Sequence, residues 1–289
     1  MKVLVFADSG WSVGRVHKDV QQYLIDMDFI YVDWQNFDWP YFIDQFEQCD
    51  VCLTNIVSIR FLMDSGNSFD FKKCLFMSHG YIDNDATNKE YLNPEWVYGI
   101  TSESIRSLFP DGLNIFVMPN GVEPSHFEYT ERSGVISMLG WCGSQNVSSK
   151  QPEWAHEIAD ATSLNLSFAS HLSFAEVCKW YSGIDMLLVT SLPNQSSETG
   201  PLPAFEAILS GVPVIGTSVG NFKDVPGPKF SSVEEAVDII NDLKSNPEKV
   251  RKLARTQYEY VMEYYTYSSF AYKWQDALEY VNLRNKRIE

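Results

Sequence analysis

The segment "DMLLVTSLPNQSSETGPLPAFEAILSGVPVIGT", Asp185 to Thr217, decides the fold. An apolar run, "DMLLVTS", leads into the turn-forming "LPNQSSETG"; "PLPAFEAILSG" then runs straight into "VPVIGT". The order reads strand, loop, helix, strand. Pro201 suits the first turn of a helix, where its missing N–H costs nothing, and Gly211 suits the C-terminal stop. The loop before that helix therefore lies at the carboxyl end of a parallel strand, where open α/β sheets bind ligands. The backbone N–H groups of Gly200 to Leu202, with the helix dipole behind them, predict a site for a phosphate or diphosphate.

Outward from this segment, strand-like and helix-like stretches alternate along all 289 residues, the pattern of parallel sheets with crossover helices. Strands are predicted at 2–7, 28–33, 50–54, 73–78, 96–100 and 114–118, with helices at 14–26, 40–48, 57–64, 102–109 and a short piece near 88–92. "PNGVEPSHF", Pro119 to Phe127, is rich in turn formers and marks the domain junction. The series restarts with strands at 134–140, 164–169, 185–190 and 212–217 and helices at 150–162, 173–182 and 201–210. Helices at 232–245, 247–262 and 267–285 close the chain. The expected domains are 1–118, 119–265 and a terminal helical segment, 266–289, packing back on the first domain.

Composition narrows the function. With 38 acids against 22 bases the formal charge is −16, which disfavours nucleic acid and anionic membrane as partners, because both are held by clusters of Lys and Arg. A small anion needs only one local base and a helix N-terminus. No apolar run reaches 18 residues and the start lacks a signal-peptide pattern, so a cytoplasmic protein without stable membrane insertion is expected. Five cysteines, Cys49, Cys52, Cys74, Cys142 and Cys178, sit mostly in apolar runs, as buried reduced thiols do. The Cys49/Cys52 pair has no second CxxC to complete a zinc site.

Glu198 and Glu206 stand eight positions apart, one just outside the predicted helix and one about one and a half turns inside it. A phosphate needs no acid, so two carboxylates framing it suit hydroxyl groups, one polyol on each side of a diphosphate. That arrangement describes a nucleotide sugar. An ordinary solvated loop acid and an ordinary helix acid would give the same spacing.

The stretch "ETGPLPAFEAILSGVPVIGTSVGNFKDV", Glu198 to Val225, resembles the donor-site segment of the retaining family 4 glycosyltransferases (glycosyl transferases group 1), which have the GT-B fold. Three further matches fall in order: "GWSVGR" at Gly10 to Arg15, "FVMPNGVEPSHF" at Phe116 to Phe127, and "GWCGSQNVSSK" at Gly140 to Lys150. The resemblance implies an α/β protein of two Rossmann-like, doubly wound domains facing across a cleft, with C-terminal helices. It implies that Glu206 binds the nucleotide ribose, that Glu198 contacts donor-sugar hydroxyls, and that the backbone of Thr199, Gly200, Pro201 and Leu202 holds phosphate or sugar oxygens. Lys150 would neutralise the departing diphosphate. Gly10, Gly140 and Gly143 correspond to the family's glycine-containing turns, with Gly10 letting N–H groups approach the phosphate. His79, in "FMSHGYID", matches a histidine facing the donor sugar. No cofactor or metal is implied. UDP is the usual donor nucleotide and GDP the next, with a carbohydrate favoured as acceptor.

Two departures stand out. The Arg that commonly precedes the lysine by about five residues is missing from "GSQNVSSK", leaving Arg15 as a candidate replacement. The first domain is also short in loop sequence, which leaves acceptor, linkage and oligomeric state open. A DxD-like metal motif at Asp83 to Asp85 or Asp26 to Asp28 belongs to the other glycosyltransferase fold. The competing readings are a nucleotide-sugar-binding regulator without turnover, a nucleotide-sugar epimerase or phosphorylase of the same shape, and a transferase acting on modified DNA bases.

Overall fold

The computed structural model describes residues 1–8, 12–80, 91–193 and 199–286. The chain divides into two compact units, residues 1–120 with 267–289, and residues 121–266.

In the first unit, β1 (Lys2–Ala7), β2 (Asp28–Asp33), β3 (Val51–Asn55), β4 (Cys74–Ser78), β5 (Val97–Ile100) and β6 (Asn114–Val117) form one parallel sheet in the order β2-β1-β3-β4-β5-β6. The central strands are apolar on both faces, as a sheet covered by helices on both sides requires. Helices α1 (Ser12–Gln21), α2 (Trp39–Gln48) and α3 (Ser58–Asp64) follow β1, β2 and β3. Asp38 caps α2 by accepting from the Tyr41 N–H at 2.9 Å. The predicted helix at 14–26 stops at Gln21, where i→i+3 bonds from Gln22, Tyr23 and Leu24 tighten the chain into turns. The predicted helix at 102–109 is instead 3₁₀ over Glu103–Leu108, entered through a Ser102 cap. The short helix near 88–92 lies mostly outside the described residues.

The second unit holds β7 (Met138–Cys142), β8 (Asn165–Ala169), β9 (Met186–Val189) and β10 (Val214–Gly216), all parallel, in the order β10-β9-β7-β8. Helices α4 (Pro152–Thr162), α5 (Phe174–Tyr181), α6 (Leu202–Leu209), α7 (Val233–Lys244) and α8 (Pro247–Tyr264) complete it. Strand β7 begins at 138, not at the predicted 134, because the Asp185 carboxylate accepts the N–H groups of Ser137 and Met138, both at 2.9 Å, and holds that stretch as a loop. Helix α6 is buried on nearly every side, and Phe205 stacks on Tyr265 with ring centroids 4.5 Å apart. It ends in a Schellman motif: the Gly211 N–H reaches the Ile208 carbonyl at 2.9 Å, and the Val212 N–H reaches that of Ala207, also at 2.9 Å. The edge strand β10 is covered by the fully buried Gln257 of α8, whose amide accepts from the Val214 N–H at 2.8 Å and donates to its carbonyl at 2.7 Å.

Helix α9 (Tyr267–Asn285) belongs to the first unit. Its Trp274 is fully buried and its Nε1 lies 3.4 Å from the Pro119 carbonyl, while Tyr280 packs on Phe116. No helix among the described residues is long and apolar enough to cross a membrane.

Candidate functional site

In the second sheet the chain leaves β7 for β8 on one side, then crosses back to β9 and β10 on the other. The loops after β7 and β9 therefore flank the topological switch point, where open α/β sheets receive ligands. These loops carry Lys150 and the start of α6.

They are joined by a chain of hydrogen bonds. Trp141 Nε1, near the end of β7, donates to Thr190 Oγ1 at 2.9 Å, and that hydroxyl donates to the Lys150 carbonyl at 2.7 Å. The Leu192 N–H donates to the Ser149 carbonyl at 2.9 Å. Lys150 ends a single 3₁₀ turn, Ser148–Lys150, ahead of the helix in which the sequence placed it. Gln151 separates the two, with φ 46° and ψ 58°. The lysine stem crosses the bare face of Gly143: a β-carbon there would stand 3.2 Å from Lys150 Cδ and 3.4 Å from Nζ. Lys150, Trp141, Thr190, Ser191, Pro201 and Pro203 line one crevice, so the lysine and the first turn of α6 share it.

At that first turn the structure narrows one expectation. Pro201 has no N–H to offer a ligand, Pro203 has none either, and the Ala204 N–H is taken by the Pro201 carbonyl at 2.8 Å. Gly200 and Leu202 are the remaining backbone donors of the turn. Thr199 is buried, and its carbonyl accepts the Asn221 N–H at 2.8 Å. Gly220 makes this approach possible, since a β-carbon on it would lie 2.3 Å from that carbonyl oxygen.

Glu206 is 3 % exposed inside α6. A carboxylate placed there requires hydrogen-bond donors, and Tyr181, the last residue of α5, donates its phenol to Oε2 at 2.9 Å. Gly140 lies within β7, where a β-carbon would meet Ile184 Cδ1 at 2.4 Å and Trp180 Cη2 at 2.8 Å. Packing against α5 therefore accounts for glycine at 140, whereas Gly143 faces the lysine.

In the first unit, His79 follows β4 and its Nδ1 lies 3.1 Å from Asn120 Oδ1. With the amide oxygen as acceptor, Nδ1 carries the proton and Nε2 is left as the basic nitrogen. The residue keeps partial exposure, but Nε2 is covered, and burial pushes the imidazole down to about 4 against the opposing pull of Asn120. Its ring contacts that of His17 on α1, with centroids 5.5 Å apart. Arg15 is half-buried on α1. Gly10 and Glu198 lie outside the described residues, as does the Asp83 to Asp85 motif. Asp28 opens β2, and among the described residues no group of three or more His, Cys, Asp or Glu converges to hold a metal.

Tyr181, Thr190, Gly220 and Asn120 were not read from sequence as site neighbours. Asn120 carried a local signal as part of "PNG", and Gly220 stood within the quoted segment Glu198 to Val225; Tyr181 and Thr190 meet the site through contacts 20 or more residues apart in the chain.

Residues 136–276 match the family model described as glycosyl transferase-like. No curated protein matches in sequence. Among solved structures, sucrose-phosphate synthase from Thermosynechococcus elongatus is 12% identical, with 97% of this chain and 99% of that one covered and a TM-score of 0.70. HepE of Anabaena, solved with UDP and glucose, is 12% identical over 96% of this chain and 99% of that one, with a TM-score of 0.71. A DNA-modifying β-glucosyltransferase is 12% identical over 98% and 99%, with a TM-score of 0.63. The likeness is one of fold: α/β, with Rossmann-like parallel sheets of the GT-B type.

Proposed function

We propose that the chain is a retaining glycosyltransferase of family 4, moving a sugar from a nucleotide-diphosphate donor to an acceptor hydroxyl, with a carbohydrate favoured as acceptor. The observation that carries this reading is the crevice at the switch point, where Lys150 and the N-terminal turn of α6 meet. A cation and a positive helix end on one crevice suit the two negative charges of a departing nucleoside diphosphate. The glycosyl transferase-like match over residues 136–276 supports it. A UDP-sugar is the first candidate donor, on the strength of the HepE complexes with UDP and with UDP-glucose, and a GDP-sugar the second.

In this reading Lys150 stabilises charge that develops as the glycosidic bond to the β-phosphate breaks. The Gly200 and Leu202 N–H groups hold phosphate oxygens, and Glu206 holds the ribose. Glu198 contacts donor hydroxyls. His79 is the candidate neighbour of the donor sugar in the first unit, and Arg15 is a second candidate cation. No protein nucleophile is invoked; the leaving phosphate takes the acceptor proton on the same face of the sugar. A transferase acting on modified DNA bases is the second reading, favoured by the fold of the DNA-modifying neighbour and opposed by the charge of −16.

Lys150→Ala tests the proposal. Turnover of a UDP-sugar should fall by about 10²–10³-fold, the usual cost of removing one group that stabilises transition-state charge, with a smaller loss of donor affinity by calorimetry. Equal losses in binding and turnover would overturn the assignment to the leaving group. A wild-type protein that binds UDP-sugars and never releases UDP from them would point to the regulator.

A further inference from the structure

Glu206 belongs to a buried polar pair that the reading above does not require. Tyr181 is 0% exposed, and its phenol lies 2.9 Å from Glu206 Oε2 and 3.2 Å from the Pro203 carbonyl. The shorter contact is to the acid, so the hydrogen goes to Glu206 Oε2. The Tyr181 ring lies near those of Trp180, with centroids 5.4 Å apart, and Phe127, 6.5 Å apart.

The two helices bearing this pair are tied together at their C-terminal ends. The Arg132 guanidinium donates to the carbonyls of Tyr181 and Ser182, both at 3.0 Å, and to that of Ser210 at 3.2 Å. One side chain thus closes the C-terminal ends of α5 and α6, where exposed carbonyls favour a cation. With both backbones tied, the Tyr181 phenol gives the Glu206 carboxylate a donor at a fixed place.

We propose that Tyr181 is a positioning residue that orients the Glu206 carboxylate for bidentate recognition of the two ribose hydroxyls, and so makes the site selective for ribonucleotides over nucleotides that lack them. The proposal rests on the reading of Glu206 as the ribose ligand. A carboxylate meets two vicinal hydroxyls through both oxygens only in one orientation of its plane, which a terminal sp³–sp² torsion does not set by itself. The Tyr181 bond supplies that orientation while the phenol stays buried, out of reach of the ligand.

The test is calorimetric binding of UDP and 2′,3′-dideoxy-UDP to the full chain and to Tyr181→Phe, repeated with GDP and its dideoxy analogue. Wild type should prefer the ribonucleotide by about tenfold or more, the scale of a hydrogen bond to a charged group. Tyr181→Phe should lose most of that preference, with dideoxynucleotide affinity held within about twofold, because the phenol itself touches neither ligand. A purely structural role would weaken both ligands equally and overturn the proposal, as would an unchanged preference. Glu206→Gln separates the two levels: a preference lost there and kept in Tyr181→Phe leaves the ribose reading standing and removes Tyr181 from it. A wild type with no ribose preference removes both. Should Tyr181→Phe not fold, 3-fluorotyrosine placed at 181 gives the same answer: its ¹⁹F signal should move with UDP and not with the dideoxy analogue, and equal responses overturn the proposal.

Discussion

Gly220→Ala probes whether the backbone around Thr199 is held as the structure has it. Gly220 has φ +47°, and a β-carbon there would fall 2.3 Å from the Thr199 oxygen, 2.4 Å from its carbonyl carbon and 2.7 Å from its α-carbon. A left-handed conformation costs a non-glycine residue about 1–2 kcal/mol. The collision adds about 1–3 kcal/mol, because a backbone peptide has to move where a flexible side chain could have yielded. The expected destabilisation is therefore about 2–5 kcal/mol, a fall in Tm of roughly 4–20 °C for a chain of this size. Gly112→Ala is the control: φ is +85° there but nothing lies within 4 Å, so it should show the backbone term alone. Thermal unfolding by circular dichroism reads the stability, and calorimetry with UDP reads the site. The peptide that must shift also accepts the Asn221 N–H at 2.8 Å and leads into Gly200, a proposed phosphate donor, so UDP affinity should fall with stability in Gly220→Ala and stay unchanged in Gly112→Ala. If the two variants melt together, or Gly220→Ala binds UDP as wild type does, the close packing of Gly220 on Thr199 is not what shapes this loop.

Stability should fall as the solution is acidified. The His79 imidazole takes its proton at about 4 when folded and near 6.5 when unfolded, so between these values the unfolded chain binds more protons, and up to about 3 kcal/mol of stability present above pH 6.5 is lost on the way down to 4. Burial, and then the neighbouring His79, also hold His17 well below its usual range, so it acts in the same direction; urea titrations from pH 7 to 4 should show a steeper loss in wild type than in His79→Asn. Thiol alkylation at pH 8 should modify Cys142 and Cys178 before Cys49 and Cys52, since burial pushes Cys49 up to about 12 and Cys52 is fully covered; mass spectrometry showing early labelling at either buried thiol would contradict the packing. Trp141→Phe removes the donor to Thr190 that anchors the Lys150 turn and should lower turnover by about fivefold with little change in donor affinity, a split visible in kcat against KM.

What was legible in the sequence was what local physics controls. The strands of the first sheet stand within a residue or two of their predicted positions because each is a short apolar run bounded by turn formers. Helix α6 declared itself through Pro201 and Gly211, a start and a stop that act within one turn. Strand β7 was displaced because Asp185, 47 residues from Met138, captures N–H groups that the alternation of Gly134 to Gly140 assigns to a ladder. Lys150 was legible as a residue and not as a position: Gln151, with no glycine to announce it, takes a left-handed conformation and leaves the lysine ahead of α4. The glycines divide on the same principle. A motif cannot tell a glycine that faces a site lysine from one that packs on the core, and here Gly143 meets Lys150 and Trp141 whereas Gly140 meets Ile184 and Trp180. The groups that orient the site share this non-local origin, since Thr190 meets Lys150 40 residues away and Tyr181 meets Glu206 25 residues away. They converge because the strand order reverses between β7 and β9, and that reversal is a property of the sheet that no single stretch of sequence contains.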